Sequence, residues 1–160
     1  MQFVADAMLG KLARWLRLSG YDVYYSRNAK DEELLNVARH EGRVLLTRDI
    51  TLAEKARRLG IKVALVESNS IEDQLIQLKR ELGLRYERTP EKALCPGCNG
   101  SLEEVGREEV AELLPRGVLE AHKEFYRCTQ CGKIYWQGKH WQSIARRVVR
   151  IEDKVSSSGK

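Results

Sequence analysis

The sequence predicts an α/β fold built on a parallel sheet, with a small cysteine-held unit behind it. Three observations carry that reading. Short apolar runs and amphipathic stretches alternate from the N-terminus to about residue 88, the pattern of strands feeding crossover helices. A glycine (Gly20, Gly42, Gly60 or Gly83) stands just past each amphipathic stretch, where a left-handed residue ends a helix without a Cβ penalty. All four cysteines fall in two Cys-x-x-Cys pairs in the second half.

The first strand is QFVAD at 2–6, and its helix is MLGKLARWLRL at 8–18, with Leu9, Leu12, and Trp15 or Leu16 on the buried stripe. YDVYY and the helix DEELLNVARHE at 31–41 form the second unit. RVLLT and TLAEKARRL at 51–59 form the third, and IKVALV and SIEDQLIQLKREL at 70–82 the fourth. Right-handed crossovers place such helices on the faces of a parallel sheet. The character changes near Thr89-Pro90. From Ala93 to Trp141 the segments are short, and EEVGREEVAELLP at 103–115 reads as an acidic helical insert. A last helix is expected over 139–153, with Trp141, Ile144, Ala145 and Val148 on one side. Arg146, Arg147 and Arg150 lie on or beside the other. The expected units are therefore 1–88, 89–153 with the C-terminal helix, and a disordered tail at 154–160, since SSSGK is polar and uncapped.

A chain of 160 residues that is 42% hydrophobic can bury a real core. No apolar run approaches the roughly 18 residues of a membrane span, and the N-terminus lacks the order of an export signal. A soluble, cytoplasmic protein without a membrane partner is expected. The net charge of +5 and the pI near 9.1 permit nucleic acid as a partner without requiring it.

Cys95-Pro96-Gly97-Cys98 and Cys128-Thr129-Gln130-Cys131 are separated by 29 residues. Each turn brings two thiolates to one ion, and two turns complete a tetrahedron. With no odd thiol and no export signal, the pairs read as a zinc site rather than as disulfides. A four-thiolate site has no open position, so the zinc is structural. Catalysis belongs elsewhere.

Asp6 ends the first strand and Asp49 follows the third. In parallel α/β sheets, ligands bind at the carboxyl ends of the strands. Two carboxylates on one rim repel unless a cation lies between them, which suggests a hard divalent metal, Mg²⁺ or Mn²⁺. Asp31, opening the second helix, is the third candidate ligand, with Glu67 a weaker fourth and Glu32 and Asp73 behind it. Such a metal activates water and neutralises charge in phosphodiester hydrolysis. The competing role for each aspartate is a helix N-cap. Thr51-x-x-Glu54 resembles a capping box that would leave Asp49 free, and Ser70-x-x-Asp73 a similar one that occupies Asp73. Lys11, Arg14 and Arg48 stand near these acids and are candidate phosphate contacts; otherwise they are solvated helix-face charges.

FVADAMLGKLARWLRLSGYD, DEELL and LLTRD, taken together, resemble the PIN-like ribonuclease fold. With CPGCNGSL, EFYRCTQCGKIYW and GKHW in the same order, residues 1 to about 142 are similar to the RNase domain at the C-terminus of mutator-type 3′–5′ exonucleases, which also occurs as a free-standing prokaryotic protein. The resemblance implies a PIN-like parallel sheet flanked by helices, followed by a zinc ribbon. It also implies metal-dependent RNase activity with the acidic positions on Asp6, Asp31 and Asp49. Lys139 departs from the serine expected before the His-Trp pair.

The expected function is a ribonuclease in which Asp6, Asp31 and Asp49 hold Mg²⁺ or Mn²⁺ and water attacks an RNA phosphodiester, leaving a 5′-phosphate. Tyr126, Tyr135, Trp136, His140 and Trp141 interleave with Arg127, Lys133 and Lys139, a pattern that suits single-stranded or structured RNA. The aromatics equally suit the thin core of a ribbon. His140 is a candidate phosphate or RNA contact. On this reading the ribbon and the basic C-terminal helix hold the strand. The alternatives are a non-catalytic RNA- or ribosome-binding module of the same fold, and a receiver-like α/β domain.

Overall fold

The structure, a computed structural model, describes residues 1–158, apart from the side chains of Lys139, His140 and Ser158. Four strands, β1 (Gln2–Ala5), β2 (Asp22–Tyr25), β3 (Val44–Thr47) and β4 (Val63–Leu65), form a parallel sheet in the order β2-β1-β3-β4. The helices between them are α1 (Gly10–Leu18), α2 (Asp31–Glu41) and α3 (Ile50–Arg58), and α4 (Ile71–Leu82) follows the last strand. Alternation along the strands divides the core. Phe3, Ala5, Val44 and Leu46 point toward α1 and α4, while Val4 and Leu45 point toward α2 and α3. Both faces are thus covered, as a parallel sheet requires. Gly42 and Gly83 end α2 and α4 in the left-handed conformation.

The second half departs from expectation in two places. Leu102–Val105 is a strand, β5, not part of a helix; it pairs antiparallel with β6 (Phe125–Cys128), which pairs with β7 (Ile134–Trp136). The acidic insert keeps helix only as α5 (Arg107–Val110) and α6 (Arg116–Ala121). The last helix, α7 (Lys139–Ser158), runs five residues past its expected end at Asp153. Val155 packs on the main core and Lys154 reaches Glu72, so residues 154–158 are helical rather than a loose tail. Residues 159 and 160 lie outside the described residues. α7 also buries Trp141, Ile144, Val148 and Ile151 in the α1–α4 core. It belongs physically to the large sheet, although it follows the ribbon in sequence. No helix among the described residues is long and apolar enough to cross a membrane.

The ribbon is fastened to the edge strand β2. Arg17, buried at the end of α1, donates to the Val23 carbonyl from Nε (3.2 Å) and Nη2 (2.8 Å), and to the Pro96 carbonyl from Nη1 (2.9 Å). Asn99 sits at φ 73° and accepts the Val23 N–H at 3.0 Å, while its amide donates to Asp22 at 2.7 Å. The side chains of Asn99 and Arg17 thus cover the polar groups of an exposed sheet edge. Gly20, at φ +88°, passes so close to the Lys92 carbonyl that a Cβ would lie 2.8 Å from it.

Asp22 also accepts from Arg43 Nη1 at 2.7 Å. Burial opposes its charged form, but the bonds from Arg43 and Asn99 outweigh burial and hold its carboxyl below the usual carboxylate value. A depressed folded pKa stabilises above the unfolded value, and that contribution is lost as pH falls through the folded one. The stability gap between wild type and Asp22→Asn is therefore expected to be full near about pH 6 and to narrow below about pH 4. Urea unfolding at both ends of that range measures it.

Candidate functional site

The strand order reverses between β1 and β3, since β1 leads outward to β2 on one side and β3 to β4 on the other. A crevice at the carboxyl edge opens at such a switch point. Asp6 follows β1 there, and its N–H donates to Leu46 O of β3 at 2.9 Å. Asp6 precedes a 3-10 turn (Ala7–Leu9) but makes no side-chain cap bond. Its Oδ2 instead accepts from the buried Thr47 hydroxyl at 2.8 Å, and that same hydroxyl accepts the Asp49 N–H at 3.0 Å. Asp6 is half-buried, and its Oδ1 has no partner among the described residues. Thr47 is the residue that sequence reasoning missed. Its place two positions before Asp49 in LLTRD was the available signal.

Asp49 is an N-cap after all. Its Oδ1 accepts from Thr51 N at 2.9 Å and Leu52 N at 3.2 Å, and α3 starts at Ile50. The Thr51-x-x-Glu54 pattern does not open the helix, because the chain turns within two residues of β3 and Asp49 reaches the first free N–H groups. Asp49 Oδ2 carries no bond among the described residues. Asp49→Ala is expected to cost about 1 kcal/mol of stability through this cap, read from the urea midpoint. Ser70 does cap α4, accepting from Asp73 N at 3.4 Å. Asp31 is exposed at the first position of α2, where Lys30 is the N-cap and no side-chain cap bond forms. The topology brings Asp6, Asp31 and Asp49 to one edge of three adjacent strands, but the three carboxylates do not gather. Among the described residues, the four cysteines are the group of three or more potential ligands whose atoms all lie within 4.8 Å of one another.

Lys11 and Arg14 are exposed on α1 and have no hydrogen-bond partner among the described residues. Arg48 is half-buried and bonded to Asn69, and its buried Nε has no partner among the described residues. Glu67 and Asp73 line a cleft with Ser68 and with Gln77, Arg80 and Glu81 of α4. The side chain of His140 lies outside the described residues. Of the aromatic set, Trp141 is buried in the main core, and Trp136 packs on the small ribbon core around Phe125.

The four thiols are free of disulfides. Cys95 and Cys131 Sγ are 3.8 Å apart, and Cys98 and Cys128 Sγ 3.4 Å. Zn–S bonds of about 2.3 Å in a tetrahedron put sulfurs about 3.8 Å apart, so the cluster fits a zinc ion. Gly100 is part of that fit, because a Cβ there would lie 2.7 Å from Cys128 Sγ. Burial and the neighbouring thiols push Cys98 up to about 12. Burial also opposes the Cys128 thiolate, yet N–H groups of Cys131 and Gln130 aimed at its sulfur draw it down to about 6. Tyr135 Oη lies 3.0 Å from Cys95 Sγ, and Lys133 stands 5.6 Å from the Tyr135 ring. Arg17 brings a further positive charge toward Cys95 and Cys98.

A parallel α/β layer with an acidic residue at its switch point is joined to an antiparallel ribbon whose four cysteines could hold a metal ion. The chain belongs to the Mut7-C RNase domain family, whose model matches residues 1–148. That span takes in the sheet, both cysteine turns and the first half of α7. Neither the curated proteins nor the solved structures include a match to this chain.

Proposed function

We propose that the protein is a metal-dependent ribonuclease that hydrolyses RNA phosphodiester bonds, with a structural zinc in its ribbon. The observation that carries this reading is the Asp6 carboxylate at the β1/β3 switch point, fixed by Thr47 and with one oxygen uncommitted. Asp6 Oδ1 and Asp49 Oδ2 are hard oxygen donors on neighbouring loops, which suits Mg²⁺ or Mn²⁺, ions that take one or two carboxylates and leave other positions to water and phosphate. When bound, such an ion supplies activated water and neutralises charge on the phosphate. Thr47 orients Asp6 and ties it to the Asp49 backbone, so the two acids keep one spacing. Asp31 would join from the α2 side on substrate binding. Lys11 and Arg14, in the first turns of α1, would receive a phosphate flanking the cut.

The test is cleavage of a labelled RNA with added Mn²⁺ or Mg²⁺ against the metal-free protein. Metal-dependent products ending in 5′-phosphate are expected, and cleavage that persists without added metal refutes the proposal. The non-catalytic RNA-binding reading is favoured by one observation, the commitment of Asp49 Oδ1 to two helix-start N–H groups. RNA binding with no cleavage under any of these conditions would select it.

A further inference from the structure

The net charge of +5 is distributed unevenly. Between Asn99 and Glu124 the ribbon carries seven glutamates against three lysines and arginines. Its Arg127 is tied to Glu109 at 2.8 Å, and its aromatics Tyr135 and Trp136 are engaged with Cys95 and the small core. By contrast, α1 has no acid and exposes Lys11 and Arg14, its third base Arg17 being buried, and α7 has five basic residues against two acidic ones. Resting on the ribonuclease reading above, we infer that the RNA strand runs from the catalytic rim along a cationic strip over α1 and α7, while the acidic ribbon stays clear of the phosphates.

The two helices meet at Trp15, where the Arg147 guanidinium lies 5.4 Å from the ring centroid. Lys11 and Trp15 are one turn apart on α1 and share a face, as do Arg147, Arg150 and Lys154 on α7. Arg150 and Lys154 flank Glu72, at 3.6 and 2.6 Å. Glu72 is in the first turn of α4, and Lys11 is in the first turn of α1. Both turns open at the carboxyl edge of the sheet, so both ends of the strip lie beside the rim that carries Asp6. Lys11 to Trp15 covers roughly 6 Å of helix axis and Arg147 to Lys154 roughly 10 Å, enough for several successive phosphates. Contacts of this kind position a strand without reading its sequence. Glu72 is an acid that Arg150 and Lys154 touch, and it competes with phosphate for them.

Fluorescence anisotropy with a labelled single-stranded oligouridine tests the strip, in an Asp6→Asn background so that the strand stays intact. Lys11→Glu and Arg147→Glu are each expected to weaken binding about tenfold and to reduce the salt slope by about one. Lys11 is exposed and has no hydrogen-bond partner among the described residues, so its variant is expected to keep the fold. Glu72→Gln is expected to tighten binding, and Glu104→Lys on the exposed ribbon strand to leave it unchanged. Wild-type affinity and slope in both Lys11→Glu and Arg147→Glu, or tighter binding by Glu104→Lys, overturns the strip. Loss of binding in the strip variants of a protein that cuts no RNA would refute the ribonuclease reading and leave the strip standing. Metal-dependent cleavage with unaltered binding in those variants would do the reverse.

Discussion

Cys95→Ser is expected to lose the zinc proposed for the ribbon and to loosen the edge of the large sheet with it. Cys95 is fully buried, and its N–H donates to Gly100 O at 2.8 Å, closing the turn that carries Asn99. That turn supplies the acceptor for Val23 N–H and the Pro96 carbonyl that receives Arg17. Structural zinc sites contribute about 10–16 kcal/mol of apparent binding energy in isolated fingers. Even a loss of about 4 kcal/mol in a domain of this size lowers Tm by roughly 8–16 °C. Zinc content should fall from one ion per chain, and the Val23 amide should exchange faster, though it lies outside the ribbon. Arg17→Met separates the two effects. It should keep zinc yet lose roughly 2–4 kcal/mol, because the Val23 and Pro96 carbonyls lose a charged donor. If Val23 stays protected after zinc is removed, ribbon and sheet are independent.

The strand–helix order of the first half was legible because each unit announces itself within a short run of neighbouring residues: an apolar run, an amphipathic stretch, a glycine. What needed distant partners was not. Leu102–Val105 is a strand because β6 lies beside it, some twenty residues on, and nothing local in LEEV says so. The apolar face of α7 showed that it would be buried, but not that it would cross back to α1 and α4. Arg17 follows Lys11 and Arg14 at the same spacing of three, and reads as one more solvated charge. It is buried because the first cysteine turn docks on the end of α1. At the site, Asp6 was visible as a strand-end acid, while its bond to Thr47 depends on β1 and β3 being neighbours. The cap of α3 was expected at Thr51 rather than Asp49 because two capping patterns overlap by two residues, and the tight turn after β3 selects the earlier one.

Asp6→Asn is expected to reduce metal-dependent RNA cleavage by about a hundredfold or more, some 2.7 kcal/mol of transition-state stabilisation. Tm and zinc content should stay at wild-type levels. Asparagine keeps an oxygen able to accept the Thr47 hydroxyl, so the geometry survives and the removed quantity is charge. That charge is what a hard divalent ion needs from its ligand. The companion variant is Asp49→Asn, since Asn caps a helix as well as Asp does. Its stability should match wild type, unlike that of Asp49→Ala, and a fall in cleavage would then report the free Oδ2 rather than the cap. Full activity in Asp49→Asn would reduce Asp49 to a capping residue and leave Asp6 to act with Asp31. Full activity in Asp6→Asn leaves no catalytic role for the carboxylate at the switch point, and the ribonuclease proposal fails with it.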